Sequence, residues 1–287
     1  MTSSSEIIFQ TDSEIVKQQY KTAKNYLIEY TTDDTSAKEN YCTIYFSSNN
    51  LYFPNNNSTF QEEIIKKNTF EWYSTRINKA KKHIFIRDIH KQWYLTGINE
   101  EINTIEKLHV FLKKETKDYK TITIGSSSGG YAAVLFGQLL NAYTTYSFNG
   151  QFRLFWQMQN SSSQIDPILF RFKKNDNLKK YYNIVNFIKN PSSILYFNSQ
   201  KSSEDIAQMK YVKNLGLQFF IFKTKHHGIP FIASTLPKLL NTNVAELLKL
   251  KNTIHNPFLF SLKIGGFKTT VKGIKKIKNK FHEKIPN

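Results

Sequence analysis

The residues best suited to chemistry lie in the segment 121–140. It reads TITI, then GSSSGG, then YAAVLFGQLL, so a β-branched strand runs through a short turn into an apolar helix. In this setting the pattern G-x-S-x-G raises its central serine, Ser127, above the C-terminal edge of a sheet, in a strained backbone conformation that small neighbours allow. Ser127 is therefore predicted to be a nucleophile. The alternatives are a degenerate site and a plain structural or phosphate-binding loop.

Attack by this serine on a carbonyl would create an oxyanion that needs N–H donors. The N-terminus of the apolar helix offers unpaired N–H groups, and we expect that of Ser128 to be one donor. The second donor normally comes from a loop after an earlier strand. Here that loop follows TIYFSS, and Ser48 or Asn49 is predicted to supply the N–H.

A serine nucleophile also needs a base. The late strand LQFFIF is followed directly by KTKHHGIP, which contains His226 and His227. A histidine on such a loop would project over the serine. His227 is predicted to be the base, because Gly228 and Pro230 define the turn around it. His226 is the alternative, and two ordinary surface histidines are the remaining possibility.

The base needs a carboxylate to orient it, and this should follow the preceding strand. That strand, SILYFN, runs into SQKSSEDI. Asp205 is the predicted acid and Glu204 the alternative. Either could instead be an ordinary acid in the first turn of a helix, where the helix dipole favours negative charge.

A fourth group of residues suits a glycan substrate. Arg87, Trp93 and Tyr94 lie just after the predicted strand HIFIRD, at the sheet edge where α/β sites form. Aromatic rings stack on sugar faces, and an arginine can hold a phosphate or a carboxylate. We predict these three residues to bind substrate; the alternative is a buried pair of Arg87 with Asp88 beside core aromatics.

The elements that must position these residues alternate along the chain. Strands are predicted at 41–48, 83–88, 120–124, 142–148, 193–198 and 217–222, and helices at 14–30, 62–80, 99–117, 129–141, 203–214 and 231–250, with a helical insert near 150–190. Short apolar strands between helices imply a buried, mostly parallel sheet covered on both faces. We predict one three-layer α/β domain over residues 1–255.

The remaining segment, 256–287, is predicted to be a basic amphipathic tail. Eight lysines and one acid lie between 263 and 284, so the tail carries +7 of the net charge of +18. The apolar residues recur at helical spacing: Ile264, Phe267, Val271, Ile274, Ile277, Phe281 and Ile285. This pattern is typical of a helix lying on an anionic membrane, and 263–285 is the predicted contact. The alternatives are a helix packed on the body and a nucleic-acid contact.

Composition limits the possible partners. The chain of 287 residues is 40% hydrophobic and 15% aromatic, which supports a sizeable core. Its single cysteine, Cys42, excludes an internal disulfide framework and a multi-thiolate metal site, so no metal and no bound cofactor are predicted. The positive charge indicates an acidic partner, either an anionic glycan or an anionic membrane surface. No recognition motif supports specific nucleic-acid binding.

The N-terminal MTSSSEIIFQ lacks a signal-peptide pattern, and no apolar run is long enough to span a membrane, so a cytoplasmic, inner-membrane-associated protein is expected.

With these motifs in place, the sequence resembles the α/β-hydrolase superfamily. The chain order Ser127, Asp205, His227 is the order of that superfamily. More narrowly, it is similar to the serine acyltransferase-like proteins of bacterial capsule and surface-polysaccharide clusters, such as the meningococcal-type capsule O-acetyltransferases. The matching pieces are the FSS turn, the GSSSGG elbow, SSEDIAQ, KTKHHGIPF and IRDIHKQWYLTGI, within residues 41–250.

This resemblance implies that an acyl group, with acetyl as the first choice, is carried on Ser127 and passed to a sugar hydroxyl of a surface or capsular polysaccharide. Acetyl-CoA is the implied donor substrate. The same triad would serve a serine esterase or deacetylase, which is the alternative function. A non-catalytic scaffold in polysaccharide assembly is the second alternative.

Overall fold

Short apolar segments of the chain pair into one sheet. The computed structural model describes residues 9–31 and 40–282. The strands are β1 (Tyr26–Tyr30), β2 (Tyr41–Phe46), β3 (Ala80–Ile86), β4 (Lys120–Ser126), β5 (Thr144–Phe148), β6 (Ile194–Ser199), β7 (Gln218–Phe222) and β8 (Ile254–His255). Their spatial order is β1-β3-β2-β4-β5-β6-β7-β8. Only the edge strand β1 runs antiparallel to its neighbour; the other pairs are parallel.

Helices cover the sheet on both faces. The helices are Phe9–Asp12, Glu14–Thr22, Asn57–Phe60, Ile105–Glu115, Ser128–Leu139, Phe155–Asn160, Pro167–Phe172, Asp176–Lys179, Ser203–Val212, Leu236–Leu240, Val244–Leu248 and Pro257–His282. Short 3₁₀ turns lie at Lys180–Tyr182, Ile184–Phe187, Pro191–Ser193 and Ala233–Thr235, and a π-helical turn at Gln61–Lys66. This architecture confirms the predicted α/β-hydrolase-like fold with its mostly parallel sheet.

Two cores lie on opposite faces of the sheet. In β2 the side chains alternate between them: Ile44 and Phe46 join one core, and Tyr45 joins the other. All six residues of β2 are buried, as expected for a strand with helices on both sides. The first core takes the Ser128–Leu139 helix, which we call the elbow helix, and the second takes the helix Leu236–Leu240. The sheet is thus the middle of three layers.

Three predicted helices are wrong in whole or in part. The helix predicted at 14–30 ends at Thr22 because Ala23 is already extended, at φ −96° and ψ 147°, and β1 follows after Asn25, which has φ 53°. The helix predicted at 62–80 ends at Lys66, where Asn68 at φ 49° leaves the helical region. Beyond it, Phe70 and Trp72 pack into the second core from turns. The helix predicted at 231–250 is three short pieces, and the two-residue strand β8 was not predicted.

The C-terminal helix, Pro257–His282, begins against the body of the protein. Phe260, Ser261 and Thr270 are buried, and Gly273 approaches the side chains of Ile232 and Ser234. Gly266 interrupts the helix with φ 75°, ψ 171°. Lys284 and Ile285 of the predicted tail lie outside the described residues. The division of the chain at 255/256 stays a prediction. Within the described residues, no helix is both long and apolar enough to cross a membrane.

Candidate active site

Ser127 lies at the turn between β4 and the elbow helix. Its backbone has φ 53° and ψ −122°, and its N–H donates to the carbonyl of Phe148 at 2.9 Å. A non-glycine residue at positive φ is strained, and such strain is concentrated at functional sites. The turn requires glycine nearby, because a Cβ on Gly125 would lie 2.0 Å from the carbonyl oxygen of Gly129. A Cβ on Gly129 would lie 2.4 Å from the carbonyl oxygen of Phe46. Strand and helix therefore cross closely enough to present the Ser127 hydroxyl at the sheet edge.

A continuous hydrogen-bond chain connects this hydroxyl to a buried carboxylate. The Nε2 atom of His227 lies 2.7 Å from Ser127 Oγ, and its Nδ1 atom lies 2.9 Å from Asp205 Oδ1. Asp205 is 1% exposed, at the start of the helix Ser203–Val212 that follows β6. His227 lies on the loop after β7. The structure thus brings together the serine, the base and the acid that the sequence predicts, in the spacing of a nucleophile, a base and an orienting acid.

The loop that carries His227 is held from below by Asn149, which follows β5. The Nδ2 atom of Asn149 donates to the carbonyls of Gly228 at 2.9 Å and His226 at 3.5 Å, and to Ser199 Oγ at 2.9 Å. Its Oδ1 accepts from the N–H of Ser199 at 2.8 Å, and Ser199 Oγ donates to the carbonyl of His226 at 2.6 Å. Asn149 itself has φ 47° and is 1% exposed. The ends of β5 and β6 therefore position the predicted base.

The two alternative residues occupy other places. His226 is bonded through its backbone carbonyl, and its ring lines the cavity beside Ser127. Glu204 Oε1 accepts hydrogen bonds from Gln151 Nε2 at 2.9 Å and from Gln157 Nε2 at 2.5 Å. Gln151 Nε2 also lies 3.4 Å from Ser127 Oγ. Glu204 is thus bonded to two glutamines and makes no hydrogen bond to His227 within the described residues.

Electrostatics favour His227 over His226 as the base. Burial lowers the pKa of His227, but the hydrogen bond to Asp205 and the negative charges of Asp205 and Glu204 outweigh it, so the pKa is raised overall. For His226, burial and then the neighbouring His227 lower the pKa, and Asp205 opposes them only in part. The histidine that takes a proton from Ser127 must become charged, and only His227 has a carboxylate in contact to stabilise that charge.

The structure changes the expected oxyanion donors. Ser128 opens the elbow helix, where first-turn N–H groups have no partner within the helix. The N–H of Ser48 is not free, because it donates to Glu71 Oε2 at 2.5 Å while its hydroxyl donates to Glu71 Oε1 at 3.0 Å. The prediction for Ser48 is therefore wrong as the structure stands. Asn49, whose Oδ1 accepts from Ser128 Oγ at 2.8 Å, remains the early-loop candidate.

Two of the three predicted substrate-binding residues are wrong. Arg87 is 2% exposed; its guanidinium stacks on Phe70 and donates to the side chain of Asn25 and the carbonyl of Thr69. Tyr94 is fully buried, and its hydroxyl donates to the carbonyl of Ser47. Both side chains are enclosed by the core and cannot contact a substrate.

Trp93 has a different position, since its indole lines a cavity beside Ser127. The loop that carries it is organised by Asp88, whose carboxylate accepts four backbone N–H groups. These belong to His90, Lys91, Gln92 and Tyr94. Arg87 and Asp88 make no direct pair: the arginine bonds elsewhere, and the aspartate holds the loop.

Ser127 and His227 lie between two cavities of different character. The wide cavity, of about 850 Å³, extends past Glu71 to the apolar loop 229–233 and Pro257. The narrow cavity, of about 250 Å³, is lined by Trp93, Trp156, Gln151, Gln157, Asn160, Asp166 and Glu204. A ligand on either side would have access to the same hydroxyl.

The sequence reasoning missed Asn149, Gln151 and Glu71, as well as the residues of the segment 156–166 that line the narrow cavity. Asn149 and Gln151 follow β5 in the stretch FNGQF, and the rule that sites form at the carboxyl ends of parallel strands could have indicated them. Glu71 lies in a segment predicted to be helical, so nothing placed it near the serine. Glu71 is exposed as a whole, but desolvation of its carboxylate against Ser48 raises its pKa, and the two hydrogen bonds from Ser48 oppose that rise.

No protein-family model matches this chain, and no curated protein matches its sequence. Its fold is similar to that of a capsule O-acetyltransferase of Neisseria meningitidis serogroup A, with 15% identity over 71% of this chain and 89% of that chain, and a TM-score of 0.47. A second structure of that enzyme, in complex with CoA, has 15% identity over 71% and 90% of the chains, and a TM-score of 0.44. An S-formylglutathione hydrolase from Staphylococcus aureus has 9% identity over 68% and 82%, with a TM-score of 0.44.

Proposed function

We propose that this protein is a serine acyltransferase that carries an acyl group on Ser127 and passes it to a hydroxyl of a glycan. The observation that carries the proposal is the hydrogen-bond chain from Ser127 Oγ through His227 to Asp205. It lies on a strained elbow whose helix directs N–H groups towards the reacting centre.

In the first half-reaction Ser127 attacks the carbonyl carbon of an acyl thioester. His227 Nε2 accepts the Ser127 proton as the bond forms, and Asp205 stabilises the resulting imidazolium through Nδ1. The N–H groups of Ser128 and Asn49 are proposed to bind the oxyanion. The tetrahedral intermediate collapses with loss of the thiolate, which takes the proton from His227. The product is an ester on Ser127 and a free thiol.

In the second half-reaction a sugar hydroxyl replaces the thiol. His227 accepts the hydroxyl proton as the oxygen attacks the ester on Ser127. Collapse expels the Ser127 oxygen, which recovers its proton from His227. The acyl group ends on the sugar, and the enzyme returns to its starting state without metal or redox chemistry in either step.

The wide cavity suits the donor. Its volume of about 850 Å³ falls within the roughly 300–1,000 Å³ typical of small-molecule sites, and Ile229 and Phe231 give it an apolar wall for an extended thioester arm. Lys223 and Lys225 are exposed on the same loop and would meet the phosphates of a nucleotide-bearing donor such as acetyl-CoA.

Hydrolysis is the second candidate function. The side chain of His227 is 35% exposed, so the base borders solvent, and water is an available acceptor. A serine esterase or deacetylase would use the same first half-reaction, with water in place of the sugar.

The experiment that tests the proposal is intact-protein mass spectrometry after mixing with acetyl-CoA, beside Ser127→Ala. We expect a gain of one acetyl group that is lost in Ser127→Ala. Circular dichroism of the variant verifies that the fold is intact. Acetylation that persists in Ser127→Ala would refute Ser127 as the carrier. An active-site fluorophosphonate probe separates a hydrolase from a scaffold: labelling without a stable acetyl adduct favours hydrolysis, and absence of labelling favours a scaffold.

We also propose that the C-terminal helix binds an anionic membrane surface from the cytoplasmic side of the inner membrane. Among its described residues five lysines are exposed, Lys263, Lys268, Lys272, Lys275 and Lys276, and the last four follow the interruption at Gly266. At about 1 kcal/mol for each lysine near such a surface, replacing all four by glutamine should weaken binding to phosphatidylserine-containing vesicles by roughly 10³-fold. A matched variant with four exposed lysines replaced elsewhere, at 113, 114, 117 and 174, should bind as the wild type does. Equal loss in both variants would contradict a localised contact.

A further inference from the structure

The narrow cavity has a chemistry unlike the rest of the protein surface. The chain has a net charge of +18, yet Asp166 and Glu204 line this cavity and no lysine or arginine is among its lining residues. The other lining side chains include two tryptophans, and amides from Gln151, Gln157 and Asn160. Indole faces stack on sugar rings, and carboxylates and amides accept hydrogen bonds from hydroxyl groups.

These groups are already organised around the nucleophile. Gln151 is the link, because its Oε1 accepts from Trp93 Nε1 at 3.3 Å, while its Nε2 lies 2.9 Å from Glu204 and 3.4 Å from Ser127 Oγ. Asp166 is held by Gln92 Nε2 at 3.2 Å. Trp93 and Gln151 are 3% and 2% exposed, so their positions are constrained by packing before any ligand arrives.

Two buried polar atoms of the residues that line this site, Gln157 Oε1 and Ser161 Oγ, have no hydrogen-bond partner within the described residues. Gln157 is 7% exposed, and its Oε1 has no hydrogen-bond partner within the described part of the chain, although its Nε2 donates to Glu204. Buried polar atoms are nearly always paired, so an unpaired acceptor indicates a missing donor. A sugar hydroxyl is such a donor.

Size and charge then limit the occupant. The volume of about 250 Å³ lies below the roughly 300–1,000 Å³ of sites for larger ligands, so the cavity suits one ring rather than a CoA molecule. A phosphate or carboxylate on that ring would lie beside two protein carboxylates in a partly desolvated site, and like charges brought together there are strongly unfavourable. Uncharged hydroxyls gain hydrogen bonds from the same two groups.

We propose that the narrow cavity is the acceptor subsite and that it takes a single uncharged sugar ring, whose hydroxyl is acylated from Ser127. This proposal rests on the proposed acyl transfer. Under this proposal the sugar ring that reacts is uncharged, whatever charge the glycan carries elsewhere. The basic surface of the protein then contacts more distant parts of the substrate or a membrane.

The kinetic test uses pairs of acceptors that differ only at C6. Methyl glycosides of glucose, galactose, mannose and their N-acetylamino forms are compared with the matching uronic acids in the deacylation of acetyl-Ser127. We expect at least one uncharged glycoside to accelerate deacylation, and its uronic acid to be poorer by about tenfold or more. Glu204→Gln and Asp166→Asn should each reduce the difference in deacylation rate between an uncharged glycoside and its uronic acid. Glu246→Gln, which removes an exposed carboxylate from a helix that lines neither cavity, should leave it unchanged.

The binding test does not depend on turnover. Two of the three tryptophans line the narrow cavity, so the glycosides should change the tryptophan fluorescence of Ser127→Ala, and Trp156→Phe should reduce that change. Uronic acids that react or bind as well as their uncharged partners would overturn the proposal. So would an acetyl-enzyme that no uncharged glycoside deacylates. If no Ser127-dependent acetyl-enzyme forms, the acyl-transfer function fails, and the fluorescence titration still decides whether an uncharged sugar occupies the cavity.

Discussion

The Asp205→Asn substitution removes one negative charge from the buried end of the hydrogen-bond chain and keeps the shape of the side chain. Asp205 Oδ1 contacts His227 Nδ1 at 2.9 Å, whereas Oδ2 is buried with no partner within the described residues. The new amide must place its NH₂ group at one of these two positions. At the Oδ2 position the group would be an unpaired buried donor, which costs about 1–3 kcal/mol. We therefore expect the NH₂ group to face His227.

That orientation gives His227 the wrong tautomer. With Nδ1 as acceptor, the proton sits on Nε2 and points at Ser127 Oγ, so Nε2 cannot take the serine proton. A preference of about 1–3 kcal/mol reduces the competent tautomer by roughly 5–150-fold. The loss of the charge that stabilises the imidazolium costs a further roughly 10–10³-fold, from a pKa contribution of about 1–3 units. Together these effects predict a fall in kcat/KM of roughly 10²–10⁵-fold, which brackets the loss of about 10⁴-fold known for the same change in a serine-protease triad.

The pH profile should also move. Burial favours neutral His227, but Asp205 outweighs burial and raises the pKa, so wild-type activity should fall as the pH decreases through this raised value. In Asp205→Asn burial remains and the opposing charge is gone. The residual activity of Asp205→Asn should then decline at a pH about 1–3 units lower than the pH at which wild-type activity declines. The raised pKa stabilises the folded protein below the unfolded value of about 6.5, and this contribution disappears as the pH rises through the folded value. Asp205→Asn should therefore be destabilised most at acid pH.

The assay is hydrolysis of p-nitrophenyl acetate from pH 5 to 9, with urea unfolding at pH 5.5 and 8 in the Ser127→Ala background. Glu204→Gln is the matched control, since it removes a neighbouring charge that also raises the pKa of His227 but makes no contact with the ring. We expect its acid limb to move in the same direction by less than that of Asp205→Asn. Activity within tenfold of wild type in Asp205→Asn, with an unmoved acid limb, would refute the assignment of Asp205 as the orienting acid.

Two further substitutions test the support around the triad. Asn149→Gly keeps the positive φ without strain but leaves the carbonyl of Gly228 without its donor and removes one of two donors to the carbonyl of His226, which keeps Ser199 Oγ. We expect a loss of about 2–4 kcal/mol in unfolding free energy and roughly 10² in kcat/KM, measured by urea unfolding and ester hydrolysis, and an unchanged kcat/KM would contradict its positioning role. Glu71→Gln removes a charge that faces the oxyanion side of the wide cavity. Because this charge would repel the oxyanion by roughly 1 kcal/mol, kcat/KM should rise about fivefold at pH 8. The gain should decrease towards acid pH, as Glu71 of the wild type becomes protonated. A gain that is constant with pH would argue against this origin.

The fold and the three residues of the hydrogen-bond chain could be predicted because their signals are local. A β-branched strand, a glycine-rich turn and an apolar helix in succession define the position of Ser127, and each of the other two residues follows directly after an apolar strand. Parallel strands bring all three loops to one edge of the sheet. Chain order and the positions of the strand ends were therefore sufficient to predict that these three residues lie together. Prediction failed where the backbone left the helical region inside a periodic segment, at Ala23 and at Asn68, because sequence periodicity continues through such residues.

The substrate-binding residues could not be predicted in the same way. Arg87, Trp93 and Tyr94 belong to one loop after β3, yet only the tryptophan lines a cavity. The Asp88 carboxylate accepts backbone N–H groups of this loop, including those of Lys91, Gln92 and Tyr94, and the resulting turn is not visible in the sequence. Such a loop has no period, and the exposure of each side chain depends on contacts with residues far along the chain.

Net charge is the clearest case in which the sequence does not predict the character of the substrate-binding site. The composition, with 40 basic and 22 acidic residues, favours an anionic acceptor if the whole molecule is taken as the site. The cavity beside Ser127 contains two carboxylates and no basic side chain among its lining residues, so the ring that reacts there meets the opposite potential. Long-range attraction and short-range recognition can differ in sign because the first depends on net charge and is screened over roughly 10 Å, whereas the second depends on groups within hydrogen-bond distance. Under the proposed function, a basic surface would concentrate an anionic polymer or hold the protein on a membrane, while the acidic cavity would take the uncharged ring that reacts.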